Sequence, residues 1–179
     1  MATLFQDFDG DKLTSLPCYS LDCQCEMAVK GAGPGGTSRI SPSRGIPVLY
    51  DNKSFVFEGC TITTILKSNR FRQLCFRVEI LEKEFIDYLG KLYKKYLVFT
   101  ENDEGFFPPV RNLLHNNYFF GKCSKTCSFI DVYGNEINRE NLVEREITFI
   151  PTFQLYSIMH TVRNDFSVIS FNLIKAVVL

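Results

Sequence analysis

The chain has 179 residues, of which 45% are hydrophobic and 22% charged, and its 20 basic and 20 acidic residues give a formal net charge of zero. This composition excludes a mainly disordered, collagen-like or coiled-coil protein. The zero balance argues against nucleic acid or an anionic membrane as the main partner, because such partners select proteins with an excess of basic charge. The 17 Phe and 8 Tyr residues favour strands.

The N-terminal part of the chain combines a weakly patterned end, a strand and a loop. The first 16 residues are acidic, which predicts a loosely ordered segment or an edge strand before a single β-rich domain over 17–179. From Tyr19 to Val29, apolar and polar residues alternate, as is typical of a half-buried strand. The dense Gly and Pro residues of 31–47 then predict a long loop that is either mobile or functional.

The rest of the chain predicts short strands and one helix. Apolar residues at three- and four-residue spacing predict an amphipathic helix over 81–97. Pro151 has no N–H to donate, so it must lie at a bulge or an edge of its strand. Because strands follow one another without intervening helices, we expect a largely antiparallel β-barrel or sandwich, with the apolar C-terminal strand paired inside the sheet. The strands are predicted at about 46–50, 54–58, 60–66, 73–80, 118–121, 127–133, 145–160 and 166–179.

Targeting signals and cysteine usage predict the compartment. The N-terminus shows neither the basic nor the apolar region of a signal peptide, and no stretch approaches the roughly 18 consecutive apolar residues of a membrane helix. We therefore expect an intracellular protein of the cytoplasm or nucleus. An odd number of cysteines, seven, favours free thiols in such a chain.

A glycine motif has the spacing of a dinucleotide-binding turn. Residues 31–36 satisfy G-x-G-x-x-G and follow a predicted strand. That motif works because a helix N-terminus follows it and directs its N–H groups at pyrophosphate. Pro42 and Pro47 exclude that helix, so we interpret the motif as part of the loop and expect no cofactor.

A zinc site or a Cys–His dyad would draw on Cys23, Cys25, Cys123, Cys127, His115 and His160. The spacing of Cys123 and Cys127 is compatible with zinc, but the second cysteine pair lies on one face of a predicted strand. No local signature of nucleophilic catalysis accompanies either histidine. We therefore expect core and surface thiols, a loop His115 and a strand His160, with no metal site and no catalytic residue.

Two segments near the C-terminus resemble trimeric dUTP pyrophosphatases. Residues 134–140 and 144–155 place Arg139-Glu140 and Gln154-Leu155 in positions comparable to that family's Arg-Glu and Gln-Leu strands. The family's Ala-Gly motif, which a catalytic Asp closely follows, would fall at Ala32-Gly33. No Asp follows there, so no catalytic residue is carried over.

The chain as a whole resembles the telokin-like protein family of baculoviruses in length, β-rich content and Phe/Tyr/Asn-rich composition. The Tyr19–Val29 alternation, the Gly-rich loop at 31–36 and the strands at 146–155 and 166–179 carry this resemblance. The fold of that family is similar to the dUTP pyrophosphatase topology. The resemblance implies a viral β-barrel protein with no established activity, in the cytoplasm or nucleus of an infected host cell.

We therefore expect a non-enzymatic intracellular protein that acts through protein–protein contacts, with an unidentified protein partner and with homo-oligomerisation left open. The surfaces expected to make these contacts are the loop at 31–47 and the helix at 81–97, because rigid scaffolds often present functional loops. One alternative is an enzyme related to nucleotide pyrophosphatases, with Mg²⁺ held by carboxylates such as Asp131, Glu136 or Glu140. A second alternative is a structural protein associated with the virion or occlusion body.

Overall fold

The computed structural model describes residues 1–21, 43–79, 81–103, 105, 107–161 and 165–179. Strands dominate these residues, and the helix α1 spans Lys83–Glu101. The strands are β1 Thr3–Leu4, β2 Leu13–Ser15, β3 Tyr19–Leu21, β4 Ser43–Tyr50, β5 Lys53–Glu58, β6 Ile62–Ile65, β7 Lys67–Ser68, β8 Leu74–Val78, β9 Phe119–Ile130, β10 Glu146–Leu155, β11 Ser157–Thr161, β12 Val168–Ile169 and β13 Asn172–Val178.

The strands form a mixed sheet that does not close into a barrel. Its main path runs β12-β11-β4-β5-β10-β13-β9-β8-β7, and β1, β2, β3 and β6 pair beside that path. Because β12 and β7 end the path, the arrangement is open and sandwich-like. Most pairs are antiparallel, whereas β1 runs parallel to β5 and β13 runs parallel to β9. The predicted mainly β fold with one amphipathic helix is confirmed.

Helix α1 follows its apolar spacing. Its buried residues recur every three or four positions, so that one face of the helix packs on the sheet. The helix extends four residues beyond the predicted end because Leu97 and Thr100 still face the protein: Thr100 is buried and its hydroxyl donates to the Leu97 carbonyl at 2.9 Å. No helix of the described residues is long and apolar enough to cross a membrane.

The N-terminal segment packs against the helix and the sheet. Phe5 is buried, and its ring centroid lies 5.2 Å from that of Phe85 on α1. Leu13 is also buried, and its strand β2 pairs with β4. The expectation of a loose end is therefore corrected to the edge-strand alternative, because these two apolar side chains find places in the core.

The boundary of the predicted loop at 31–47 is wrong at its C-terminal side. Residues 43–47 belong to β4, where Gly45 pairs with Tyr19 on one neighbouring strand and with Met159 on the other. Gly45 fits there because a β-carbon would lie 2.8 Å from both the Tyr19 and Met159 side chains. Residues 31–42, and residues 22–29 of the predicted strand, lie outside the described part of the chain.

The predicted long strand over 145–160 is two strands, and the break falls at Tyr156 rather than at Pro151. Pro151 lies inside β10, opposite Ala176 and next to a register shift. Its carbonyl accepts a hydrogen bond from the Gly59 N–H at 2.9 Å. On this side of β10, the residues before Pro151 pair with β6 and the residues after it pair with β5. The N–H that proline lacks would point to this same side, between the last β10 residue that pairs with β6 and the first that pairs with β5, so Pro151 interrupts neither strand pairing.

Three other predicted strand boundaries differ from the observed ones. The strands predicted at 118–121 and 127–133 are one strand, β9, and the segment 166–179 is divided into β12 and β13. The C-terminal β13 lies between β10 and β9, which confirms that it pairs inside the sheet.

Tyr96 is fully buried on α1, and its hydroxyl has no hydrogen-bond partner among the described residues. Burial raises the pKa of this hydroxyl well above its usual range. We expect Tyr96→Phe to raise the free energy of unfolding by about 1 kcal/mol, because the variant removes a desolvated hydroxyl. Urea unfolding of both proteins measures the change.

Tyr50→Phe is the matched control. The Tyr50 hydroxyl oxygen accepts a hydrogen bond from the Asp9 backbone N–H at 3.0 Å. Its removal is expected to lower the free energy of unfolding by about 0.5–1.5 kcal/mol. Equal losses in the two variants would contradict the assignment of Tyr96 as an unsatisfied hydroxyl.

Candidate functional site

A cleft of about 360 Å³ lies between the chain at 111–118 and the segment 168–171. Strand β9 contributes Phe120 and Lys122 to its lining. The volume is at the lower end of the range of ligand sites in proteins, and it suits one small ligand or one large side chain. We call this feature the basic cleft.

Hydrogen bonds of Ser167 join the chain at 108–111 to the C-terminal segment that forms the other wall of the basic cleft. This residue is 0% exposed, and its hydroxyl donates to the Pro108 carbonyl at 2.6 Å. Its N–H donates to the Pro109 carbonyl at 2.9 Å, and its own carbonyl accepts from the Arg111 N–H at 2.7 Å. These buried bonds hold the backbone of Arg111 in place at the mouth of the cleft.

A tight turn presents the next two side chains. Asn116 and Asn117 both have left-handed backbone conformations, with φ of 50° and 63°, and the Tyr118 N–H donates to the His115 carbonyl at 3.1 Å. Asparagine tolerates this region of φ better than most residues. The turn brings the rings of His115 and Tyr118 side by side, with centroids 5.9 Å apart.

The charged groups in the lining of the basic cleft are all basic: Arg111, His115 and Lys122. The Arg111 guanidinium contacts Nε2 of His115 and also lies 4.7 Å above the Phe166 ring. Arginine only donates hydrogen bonds, so Nε2 of His115 is the acceptor in this contact. Arg111 and Lys122 therefore supply two positive charges, and neither forms an ion pair with a carboxylate of the described residues.

Apolar side chains also line the basic cleft. Phe120 is 42% exposed and Ile169 is half-buried, whereas Phe171 is 3% exposed and packs its ring on Phe119 in the core. One face of the Tyr118 ring is covered by the guanidinium of Arg77, which lies 4.2 Å from the ring centroid. The cleft is therefore suited to an anion attached to an apolar body.

A wider groove on the other side of Phe120 has a different character. It has a volume of about 1050 Å³ and is lined by both basic and acidic side chains. Two of these, Arg77 and Glu79, form an ion pair at 2.9 Å. Because basic and acidic side chains are mixed in this groove, it favours neither an anionic nor a cationic ligand. The basic cleft is therefore the better candidate site.

The carboxylates considered for a divalent metal do not form a metal site. Asp131 accepts from the N–H groups of Tyr133 and Asn135 at 2.9 and 2.8 Å and from the Asn135 side chain at 2.9 Å. These bonds lower the pKa of Asp131 and hold its carboxylate against the turn at 133–135. In the described part of the chain, no three His, Cys, Asp or Glu side chains, including Glu136 and Glu140, are grouped so that they could hold a metal.

The cysteine and histidine candidates lie in separate places. Cys123 and Cys127 are buried free thiols on β9, and contact with Cys127 together with burial raises the pKa of Cys123. His160 is a buried residue of β11, with its ring centroid 5.8 Å from that of Phe107. Of this set only His115 lines the basic cleft. Cys23 and Cys25 lie outside the described residues.

The two other lining cations, Arg111 and Lys122, are not among the candidates from the sequence. Arg111 follows a Pro-Pro pair in the polar stretch 101–117, and Lys122 alternates with apolar residues on β9. Neither position belongs to a local motif. Their closeness to the cleft becomes visible only once the pairing of strands is known. The Lys122 N–H donates to the Phe171 carbonyl at 2.9 Å and so joins the two sides of the cleft.

Helix α1 and the N-terminal segment share one surface ion pair, between Lys95 and Asp11 at 3.3 Å. The exposed face of α1 carries both lysines and carboxylates, including Lys91, Lys94 and Asp87. An interaction through this face stays a prediction.

Comparison with known proteins adds no relative. No protein-family model matches the chain, and no curated protein matches it. The resemblance to telokin-like proteins and to dUTP pyrophosphatases therefore stays a prediction from sequence features.

Proposed function

We propose that this chain is a non-enzymatic binding protein that takes up an acidic group of a partner protein in the basic cleft. The observation that supports this proposal is the convergence of Arg111, His115 and Lys122 on a cleft whose lining, among the residues that the structure describes, includes no carboxylate. A partly enclosed site strengthens an ionic contact because fewer waters screen it. Arginine adds a planar pair of donors that matches a carboxylate or phosphate group.

Binding accounts for this arrangement better than metal-assisted hydrolysis does. A nucleotide pyrophosphatase needs carboxylates that hold a divalent cation beside the phosphates. The described residues that line the basic cleft include no Asp or Glu, and the carboxylate of Asp131 is engaged in its own turn. The residues of the cleft can hold an anion, and none of them is placed to hold Mg²⁺.

Charge reversal in the cleft tests the proposal. An array of peptides rich in Asp and Glu, with matched Asn and Gln versions, is probed with the wild-type chain and with Lys122→Glu. We expect the acidic peptides to bind the wild type and to lose at least about tenfold in affinity on Lys122→Glu, because a buried favourable contact becomes a repulsive one. Binding should also weaken as salt is added.

Lys125→Glu is the matched control, because Lys125 is an exposed residue of the same strand and does not line the cleft. It changes the net charge equally and should leave acidic-peptide binding almost unchanged at moderate ionic strength. Equal losses in both variants would contradict a localised site. Mg²⁺-dependent turnover of nucleoside triphosphates by the wild type would favour the enzyme alternative instead.

A further inference from the structure

We propose that the acidic group held in the basic cleft is a phosphotyrosine side chain. This inference rests on the proposed function and names the chemistry of the group that the partner presents. It follows from two independent features of the cleft, namely the number of its positive charges and the size of its apolar part.

The charge of the cleft matches a phosphate better than a carboxylate. Arg111 and Lys122 carry two positive charges, and Nε2 of His115 is in contact with the Arg111 guanidinium. A phosphomonoester carries about −1.5 to −2 at neutral pH, whereas a carboxylate carries one negative charge. A bound Asp or Glu would leave one cation of the cleft uncompensated, and a bound phosphate would not.

The positions of the donors also suit a phosphate. Arg111 is anchored through its backbone to Ser167, and Lys122 reaches the cleft from a different element, β9. Two cations on separate walls contact different oxygens of a tetrahedral group, and a phosphate offers three acceptor oxygens. Recognition of phosphorylated side chains by groups of basic residues is a general mode of peptide binding.

The apolar lining selects an aromatic phosphate over an aliphatic one. Phe120, Ile169 and Phe171 line the same cleft as the cations, and Phe120 is still 42% exposed. A phosphoserine would place its phosphate beside Arg111 but would leave this surface in contact with water. The phenyl ring of phosphotyrosine would cover it and so add burial of apolar surface to the ionic contact.

The cleft would hold the phosphoester without cleaving it. Phosphatases attack the phosphorus atom with a nucleophile or with a metal-bound water. Among the described residues, the lining of the basic cleft includes no Cys, Asp or Glu, and its hydroxyl groups belong to Ser170 and Tyr118. His115 has its Nε2 engaged by Arg111, so neither hydroxyl has a free base beside it.

Four peptides of one sequence test the inference with the full chain, by fluorescence anisotropy. They carry phosphotyrosine, phosphoserine, glutamate or unmodified tyrosine at the central position. We expect phosphotyrosine to bind at least about tenfold more tightly than phosphoserine, because burial of one aromatic ring is worth that factor or more. Glutamate should bind more weakly still, and unmodified tyrosine should show no saturable binding.

Two variants test separately the basic groups and the apolar lining of the cleft, and a third variant serves as the control. Arg111→Lys keeps the charge but loses the planar pair of donors, and it should weaken phosphotyrosine binding about tenfold. Phe120→Ala should bring phosphotyrosine down to the affinity of phosphoserine, and Phe120 is exposed enough for the variant to fold. Lys125→Gln on the same strand, outside the cleft, should change neither affinity. Thermal unfolding of each variant confirms that it is folded.

Competition between small anions and the phosphotyrosine peptide tests which ligand the basic cleft prefers. Phenyl phosphate should displace the phosphotyrosine peptide at lower concentration than inorganic phosphate. Displacement by a nucleoside monophosphate at still lower concentration would overturn the inference in favour of a nucleotide. Equal affinity for the phosphotyrosine and glutamate peptides would overturn it while leaving an acidic partner in place. Absence of binding by all four peptides would overturn both this inference and the proposed function.

Discussion

Phe153→Ala is expected to lower the free energy of unfolding by about 3–5 kcal/mol, as is typical of truncating a fully buried phenylalanine. Phe153 lies on the central strand β10 and is 0% exposed. Its ring centroid lies 5.6 Å from those of Phe57 and Phe119 and 5.8 Å from that of Phe171. Truncation would remove one ring from the middle of this cluster and leave a cavity that rigid neighbours cannot fill.

Chemical denaturation measures this change, and two controls define its origin. Phe153→Leu retains most of the apolar volume and should cost less than half as much. Phe71→Ala removes the same side chain from a position that is 64% exposed, and its effect should stay within about 0.5 kcal/mol. A loss at Phe71 as large as at Phe153 would show that burial in the cluster is not the cause.

Gly121→Ala is expected to lower the free energy of unfolding by about 1–3 kcal/mol through overpacking. Gly121 pairs with Phe76 across β9 and β8, and a β-carbon at Gly121 would lie 2.3 Å from Cζ of Phe76. The Phe76 ring has little room to withdraw, because its centroid is 5.6 Å from that of Phe149 and 6.2 Å from that of Phe153. Glycine is needed here for space, since its backbone does not have a positive φ.

A double-mutant cycle tests this explanation. In a Phe76→Leu background the space over Gly121 is larger, so Gly121→Ala should then cost less than about 1 kcal/mol. The coupling is measured from four urea unfolding curves. Purely additive losses would mean that Gly121 is required for a reason other than the Phe76 ring.

The position of Gly121 also connects stability with the candidate site. Gly121 lies between Phe120 and Lys122, which both line the basic cleft, while its own position faces the core. Successive residues of a strand point to opposite faces, so β9 serves the core and the cleft with alternate residues. A change at Gly121 that shifts β9 would therefore displace both cleft residues, whereas Phe120→Ala would leave the core unchanged.

Local patterns in the sequence were sufficient for the class of the fold. The three- and four-residue spacing from Phe85 to Tyr96 predicts α1, because one face of a helix must be apolar to be buried. The strands predicted at 46–50 and 54–58 are joined by a two-residue hairpin loop, in which Asp51 and Asn52 have φ of 50° and 59°. Such features depend on residues that are neighbours in the chain, and their physical causes act over a few residues.

The residues at which strands begin and end depend on partner strands that are distant in the sequence. Pro151 is compatible with the interior of β10 only because β6 ends and β5 begins opposite it. The N-terminal segment is ordered because Phe5 meets Phe85, which is 80 residues away in the sequence. The secondary-structure propensity of a residue does not depend on contacts with residues that are distant in the sequence. Where such contacts form, they override the prediction made from local propensity.

The patterns of the amino-acid sequence are enough to predict a β-rich protein with one amphipathic helix, because alternation and helical spacing are local consequences of burying one face. That Arg111, His115 and Lys122 share a cleft follows from the folded structure and from no local pattern. Arg111 and Lys122 are brought together by the hydrogen bonds of Ser167 and Phe171, which join the chain near 110 and strand β9 to the C-terminal segment. Each of these residues alone is an ordinary residue of its segment. It becomes part of a candidate site because folding brings the three together in a cleft whose described lining residues include no carboxylate.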